Sequence, residues 1–145
     1  MGYGLKFHKI DLHIHTPASK CFADKNVTPA KIVETALAKG LSAIAITDHN
    51  TGAWIDLVKE EGSRKGLVVF PGVEISAAGG GEGTIHIMGI FDASKGTKDI
   101  ENLLGNLGIT PDKYGAEDAF TTQSPSEVID TISRLGGLAV AAHAN

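Results

Sequence analysis

The first residues in this chain with chemistry to offer are His13 and His15, two apart in Asp11-Leu12-His13-Ile14-His15. In an extended strand alternate side chains share a face, so both imidazoles lean one way while Leu12 and Ile14 lean the other. Residues i and i+2 lie roughly 6.6 Å apart along a strand. Both rings can therefore reach one ion at about 2.0–2.1 Å per bond. A pair of half-exposed strand histidines would have the same spacing, so the pair alone decides little. Asp48-His49, Glu74, His86 and His143 add the weight: each lies within or just after an apolar, β-like run, and all are hard or borderline metal ligands.

The elements that must position these residues can be read from pattern. Leu5–Ile14 reads as a first strand, ended by Thr16-Pro17-Ala18-Ser19. Thr28 followed by Pro29 is a helix start, with the hydroxyl as cap and proline in the first turn. Ile32, Val33, Ala36 and Leu37 form the buried stripe of that helix and Gly40 ends it. Ser42–Thr47 lacks polar alternation, which predicts a strand buried on both faces, as in parallel sheets. Ala53–Lys65 reads as a helix turning Trp54, Leu57 and Val58 inward. Leu67–Phe70 is a further apolar run, broken by Pro71-Gly72 and resumed as Val73–Ser76. The Gly79-Gly80-Gly81-Glu82-Gly83 stretch reads as a loop leading into a strand over Thr84–Phe91. No Gly-Lys-Ser/Thr comes after it, which argues against a phosphate-cradling loop.

Thr97–Leu107 reads as a short helix and 108–123 as a long irregular connection, a length common in functional loops. Ser124-Pro125-Ser126-Glu127 is a capping-box start. The helix it opens is expected to bury Val128, Ile129, Ile132 and Leu135. Leu138–Ala142 reads as a last buried strand, with His143 at its carboxyl end. Strands alternating with helices, with reactive groups at strand ends, predict an α/β fold of the β/α-barrel or doubly wound kind, whose rim gathers ligands from different strands. His8 is the exception. It falls on the face opposite His13, toward the amino end, and is read as a bystander.

Composition narrows the class. With 42% hydrophobic and 21% charged residues, the chain is an ordinary globular domain. Its net charge of −4 gives no footprint for non-specific nucleic-acid binding, although a metal site can attract phosphate locally. A single cysteine, Cys21, forms no internal disulfide. The absence of an apolar leader or of an apolar run near 18 residues predicts a cytoplasmic, non-membrane protein.

Taken together, Asp11–Thr16, Ile46-Thr47-Asp48-His49-Asn50, Pro71–Ser76, His86-Ile87-Met88-Gly89 and Ala142-His143 resemble the first motifs of the PHP (polymerase and histidinol phosphatase) family, in order and over nearly the whole chain. The resemblance implies a distorted seven-stranded β/α barrel, (β/α)7, that hydrolyses phosphoesters with a metal-activated hydroxide at a di- or trinuclear site. It implies His13, His15, His49, Glu74, His86 and His143 as metal ligands, with Glu74 bridging. The cofactors would be two or three divalent ions, zinc, manganese or iron. The substrate would be a phosphorylated small molecule, a nucleotide or an oligonucleotide end. Asp48 and Asp11 are expected to orient histidines by accepting their second ring N–H.

Two departures qualify this picture. Where many members carry an acidic or histidine ligand, this chain has Ser19-Lys20-Cys21-Phe22. Cys21 is either a soft thiolate ligand or a small buried hydrophobe, Asp24 could reach in, and Lys20 could meet a substrate phosphate. The family's last motif, Asp-x-His, is absent. Residues 1–145 are therefore expected to be a PHP-like domain truncated at its carboxyl end, followed by a further portion of the same polypeptide. The rival readings are a catalytically silent PHP-like module and an amidohydrolase-type metal hydrolase. The latter calls for a lysine at a strand end, and none of Lys39, Lys59 or Lys65 holds that position.

Overall fold

The uninterrupted apolar tetrad Ala43–Ile46 forms a strand in which every residue is buried, as expected where a strand has sheet neighbours on both sides and helices over its face. In the computed structural model, which describes residues 4–79 and 83–143, this strand is β2 of a five-stranded sheet of order β1-β2-β3-β4-β5. The others are β1 (Ile10–Ile14), β3 (Val68–Ala78), β4 (Thr84–Ile90) and β5 (Leu138–Ala141). Helices α1 (Pro29–Ala38), α2 (Ile55–Lys65), α3 (Thr97–Asn106) and α4 (Pro125–Arg134), with a 3-10 turn at Pro111–Lys113, make up the rest. β1, β2 and β3 run parallel, whereas β4 is antiparallel to both β3 and β5. The sheet curls into part of a barrel. No helix among the described residues is long and apolar enough to cross a membrane.

The helix starts match their sequence signals. Thr28 accepts the Lys31 N–H at 3.2 Å ahead of Pro29. Ser124 and Glu127 form the reciprocal capping box at α4. Gly66, at φ +77, ends α2 in the left-handed conformation that glycine tolerates best. A single core joins Val33 of α1, Ile44 and Ile46 of β2, Ile75 of β3, Leu103 and Leu104 of α3 and Ile132 of α4.

Five expectations need correction. The first strand is paired only from Ile10; Leu5 and Phe7 are 93% and 99% exposed and lie outside it. Leu57 of α2 and Ile129 of α4 face outward, and Ile55 and Thr131 take the inward positions. β3 runs unbroken through Pro71-Gly72. The pair falls where the strand changes partner: Ile46 faces Pro71 across the parallel ladder, and Gly72 opens the antiparallel ladder opposite Ile90. The proline carbonyl still accepts the Phe91 N–H at 2.8 Å. β5 is half-exposed rather than buried, with Leu138 62% exposed, because only β4 pairs with it among the described residues. Last, β1 carries a bulge, since Asp11 to Ile14 spans the same length as Ile44 to Ile46. The simple alternation is broken there. Leu12 lines a groove with Phe70 and Leu138, whereas Ile14 lines a different one with α1. Of the glycine-rich stretch, Gly79 and Gly83 form a connection closed by a 2.9 Å backbone bond, and 80–82 lie outside the described residues.

At Gly72 an added Cβ would stand 2.9 Å from Thr47 Cγ2 and 3.0 Å from the carbonyls of Ile46 and Gly89. Gly72→Ala should therefore lose about 1–3 kcal/mol through overpacking. Gly105→Ala, in open space near the end of α3, should be neutral or gain up to about 1 kcal/mol. Urea denaturation of the two variants checks the contrast; equal stability would mean that β3 does not cross the sheet this tightly.

Candidate metal centre

Glu74 is a fully buried carboxylate in the middle of β3. A buried carboxylate is costly unless charges or donors surround it, and here five imidazoles do. His13 Nε2 and His15 Nε2 lie 3.0 and 2.9 Å from its Oε2, with His49 Nδ1 at 3.6 Å. His86 Nδ1 and His143 Nε2 lie 2.8 and 3.4 Å from Oε1.

The five histidines arrive from four strands or strand ends. The β1 bulge leaves His13 and His15 on the same side, their Nε2 atoms 3.1 Å apart. His49 comes just after β2, where Glu74 N donates to Asp48 O and Asn50 N donates to Glu74 O, extending the parallel pairing past the end of the strand. The antiparallel register sets His86 opposite Ser76, diagonal to Glu74 on the same sheet face. Ala142 N donates to His86 O at 3.0 Å, which carries the next residue, His143, to the site. His143 adopts a positive φ of 53, a conformation uncommon among non-glycine residues as a whole, although histidine enters it more readily than most.

The donor set fits divalent ions. Lone-pair atoms converge here with too few protons to link them: His13 Nε2, His15 Nε2 and Glu74 Oε2 all lie within about hydrogen-bond distance of one another. His49 Nδ1 and Glu74 Oε1 are buried without a hydrogen-bond partner. His86 Nδ1 is close to Oε1, yet off the line a hydrogen bond requires. Two groups have ligand atoms within 4.8 Å of one another around the carboxylate, His13–His15–Glu74 and Glu74–His86–His143, which gives Glu74 one oxygen for each.

The electrostatics reflect this crowding. Burial alone would push the Glu74 carboxyl up, but hydrogen bonds from His15 and His13 and the charge of His49 overcome it and hold the group far below the usual carboxylate range. The bond to Glu74 raises His15 above the ordinary histidine value, against the opposing effect of burial. Burial lowers His49.

The two aspartates do different work from that expected. Asp48, fully buried, accepts Thr16 N, Thr16 Oγ1 and Ser19 Oγ, each at 2.6 Å. Its oxygens thus fix the loop after β1 instead of a histidine ring. Ser19 Oγ in turn accepts His49 N at 3.1 Å. Burial pushes the Asp48 carboxyl up, opposed by the hydrogen bonds from Ser19 and Thr16. Asp11 is exposed and accepts the backbone N–H of His13 at 3.1 Å, with no ring contact. Asp24 accepts the Asn26 N–H in a local turn and belongs to neither Glu74 group. Lys20 is exposed, and its N–H donates to Gly115 O. His8 is exposed and lies outside the cluster.

Sequence reasoning passes over Thr16, Ser19, Asn50 and Glu117. Asn50, at φ +48, donates from Nδ2 to Ala116 O and Ala119 O. Gly115 N donates to His49 O, and Ser76 Oγ to Glu117 O. These bonds clamp the 108–123 connection over the site and bring the Glu117 charge to bear on His15, Cys21 and His49. The visible signals are the length of that connection and the Asp48-His49-Asn50 run.

Comparison with known proteins agrees with this geometry. A stretch of 82 residues is 44% identical to 5'-3' exoribonuclease Rnm of Salmonella typhimurium, covering 55% of this chain and 26% of that protein. A stretch of 81 residues is 32% identical to the 3',5'-nucleoside bisphosphate phosphatase of Chromobacterium violaceum, covering 56% and 27%. The chain thus matches little more than a quarter of the length of either relative. A solved amidohydrolase of Chromobacterium violaceum with bound sulfate and no metal superimposes with a TM-score of 0.68 at 20% identity, over 94% of this chain and 67% of that one, a likeness of fold. The sequence profile of the PHP domain matches residues 11–136, the span that holds every donor of the Glu74 cluster but His143, and the chain belongs to the PHP family.

Proposed function

We propose that this chain carries the metal centre of a phosphoester hydrolase acting on nucleotides or oligonucleotide ends. The observation that carries the reading is the buried Glu74 carboxylate ringed by five histidines. His13 and His15 would hold one divalent ion with Glu74 Oε2, and His86 and His143 a second with Oε1. Such ions supply a hydroxide nucleophile from water near neutral pH and offset the charge on phosphoryl oxygens. The chain's own contribution is positioning. Asp48 fixes the loop after β1, Asp11 holds the His13 backbone, and the clamped 108–123 connection roofs one side. The named activities of the relatives favour a nucleotide-type phosphoester. Their greater length, and the outer edges of β1 and β5, unpaired among the described residues, support a longer polypeptide in which further strands complete the barrel.

Two outcomes are expected. Glu74→Gln keeps the shape of the side chain but removes the bridging charge, so divalent-ion affinity should fall at least about tenfold, as read by calorimetric titration of the metal-stripped protein with zinc or manganese. Unchanged affinity would place the ions elsewhere. The polypeptide bearing this chain should also hydrolyse a 5'-phosphorylated oligoribonucleotide or a 3',5'-nucleoside bisphosphate with manganese or zinc, and a chelator should abolish turnover. Tight metal binding with no hydrolysis of any phosphoester would favour a silent structural module, and chelator-resistant turnover would remove the metal from the mechanism.

A further inference from the structure

Glu74 and Ser76 share one face of β3, and the antiparallel register adds His86 to that face opposite Ser76. Past the end of β2, residues 117–121 take over as the neighbour of β3. Ser76 Oγ donates to Glu117 O at 3.3 Å, Thr121 N donates to Ser76 O at 2.9 Å, and Thr121 bridges Ala77 in parallel. Thr121 and Ala77 are buried together, with Thr121 Oγ1 donating to Leu107 O at 2.6 Å, so this pair marks the core face. Successive residues of an extended chain alternate in face. Phe120 therefore falls on the face of Glu74 and the histidines, and the exposures agree, 48% at Phe120 against 1% at Thr121. The segment also borders the cluster directly: Glu117 bears on His15, on His49 and on exposed Cys21, whose Sγ lies 3.9 Å from His15 Nδ1. Single exposed aromatics are common on protein surfaces. This one is held on both sides, because Ala119 O accepts Asn50 Nδ2 at 2.8 Å and Thr121 is bonded through backbone and hydroxyl alike. Charge narrows what it can meet. Glu117 and Asp118 are exposed beside it, and no Lys or Arg occurs from Tyr114 to Ser133, so this wall repels a phosphate and accepts a neutral flat ring.

We infer that Phe120 is the stacking platform for the base of a nucleotide whose phosphate is held at the Glu74 centre, and so a residue that sets substrate specificity; this rests on the nucleotide-directed centre proposed above and adds the contact made by the base. Anchors on either side of Phe120 fix its backbone before the substrate arrives, which reduces the ordering cost of binding. A phenyl ring stacks on the π-face that every base presents and offers no hydrogen bond to tell one base from another. The discrimination it supplies is between a nucleotide and a phosphoester that lacks a base. Phosphate recognition is left to the ions, on the far side from the acidic pair Glu117 and Asp118.

The test compares substrates that differ only in the base. One pair is a 5'-phosphorylated oligoribonucleotide whose first residue carries adenine and the same strand with that residue abasic; the other is adenosine 3',5'-bisphosphate and its abasic counterpart. Each is hydrolysed with manganese by the polypeptide bearing this chain, and whichever length is turned over gives the ratio of kcat/KM. That ratio should favour the base at least about fivefold, the lower end of what stacking on an aromatic side chain supplies. Phe120→Leu keeps apolar bulk but removes the ring, and should bring the ratio close to one, with the loss in KM. Phe120→Tyr restores a ring and should hold the ratio, and uracil in place of adenine should still outperform the abasic form. A wild-type ratio near one, or a ratio that Phe120→Leu leaves unchanged even if both substrates slow together, would overturn the platform and leave the metal centre standing. If the unaltered polypeptide hydrolyses none of the four, the nucleotide-directed reading of the centre falls and the platform with it.

Discussion

A carboxylate with no exposed surface, on a strand with neighbours on both sides, is the constraint that the rest of this structure answers. Glu74 cannot be solvated where it stands, and the charged form is stable only if other groups surround it. Five histidines from four strands or strand ends do so. Histidine suits the task because a neutral ring brings a lone pair without bringing more negative charge. The cost of burial is met only when positive charge joins the cluster, as ions or as protons on the rings. The buried His49 Nδ1 and Glu74 Oε1, both without a hydrogen-bond partner, are what favour ions over ring protons.

The sheet is bent to serve that carboxylate. If β3 had stayed in the parallel ladder, its next neighbour would have required a crossover helix. The change of partner at Pro71-Gly72 instead allows an antiparallel β4 to fold straight back, so that His86 arrives diagonal to Glu74 on the same face. On the other side the ladder continues beyond β2 through His49 and Asn50. One strand therefore reads its two neighbours at once, and Gly72 is small because three groups crowd it at the crossing.

Much of this is legible in the sequence because donor types and strand periodicity are local properties. The pairing of His13 with His15, the burial of Ala43–Ile46 and the caps at Thr28 and Ser124 depend on a few adjacent residues. The features that are not legible depend on register. Pro71-Gly72 looks like a break because the sequence does not show that pairing changes sides there. Leu57 and Ile129 have the right hydrophobicity for the core, but their faces are set by where each helix docks. The bulge in β1 separates Leu12 from Ile14 although strict alternation would unite them. Asp48 shows in the sequence only as a polar residue near histidines. Its partners, Thr16 and Ser19, lie about thirty residues away, in a stretch with the look of a mere strand breaker.

Those distant partners explain how the loop after β1 is held against the site. The segment that joins β1, ending at Ile14, to α1, starting at Pro29, is a connection of the kind that would ordinarily be mobile. Here the anchoring comes from a buried acid whose oxygens accept three hydrogen bonds from the loop, while Ser19 also accepts the N–H of His49. The loop and the histidine are therefore positioned by one network, and the 108–123 connection closes it by bonding to His49 O and Lys20 N through Gly115. Asp48 contributes to the site without touching a ligand ring. By holding the loop after β1 against the backbone of His49, it keeps both in place beside the Glu74 cluster.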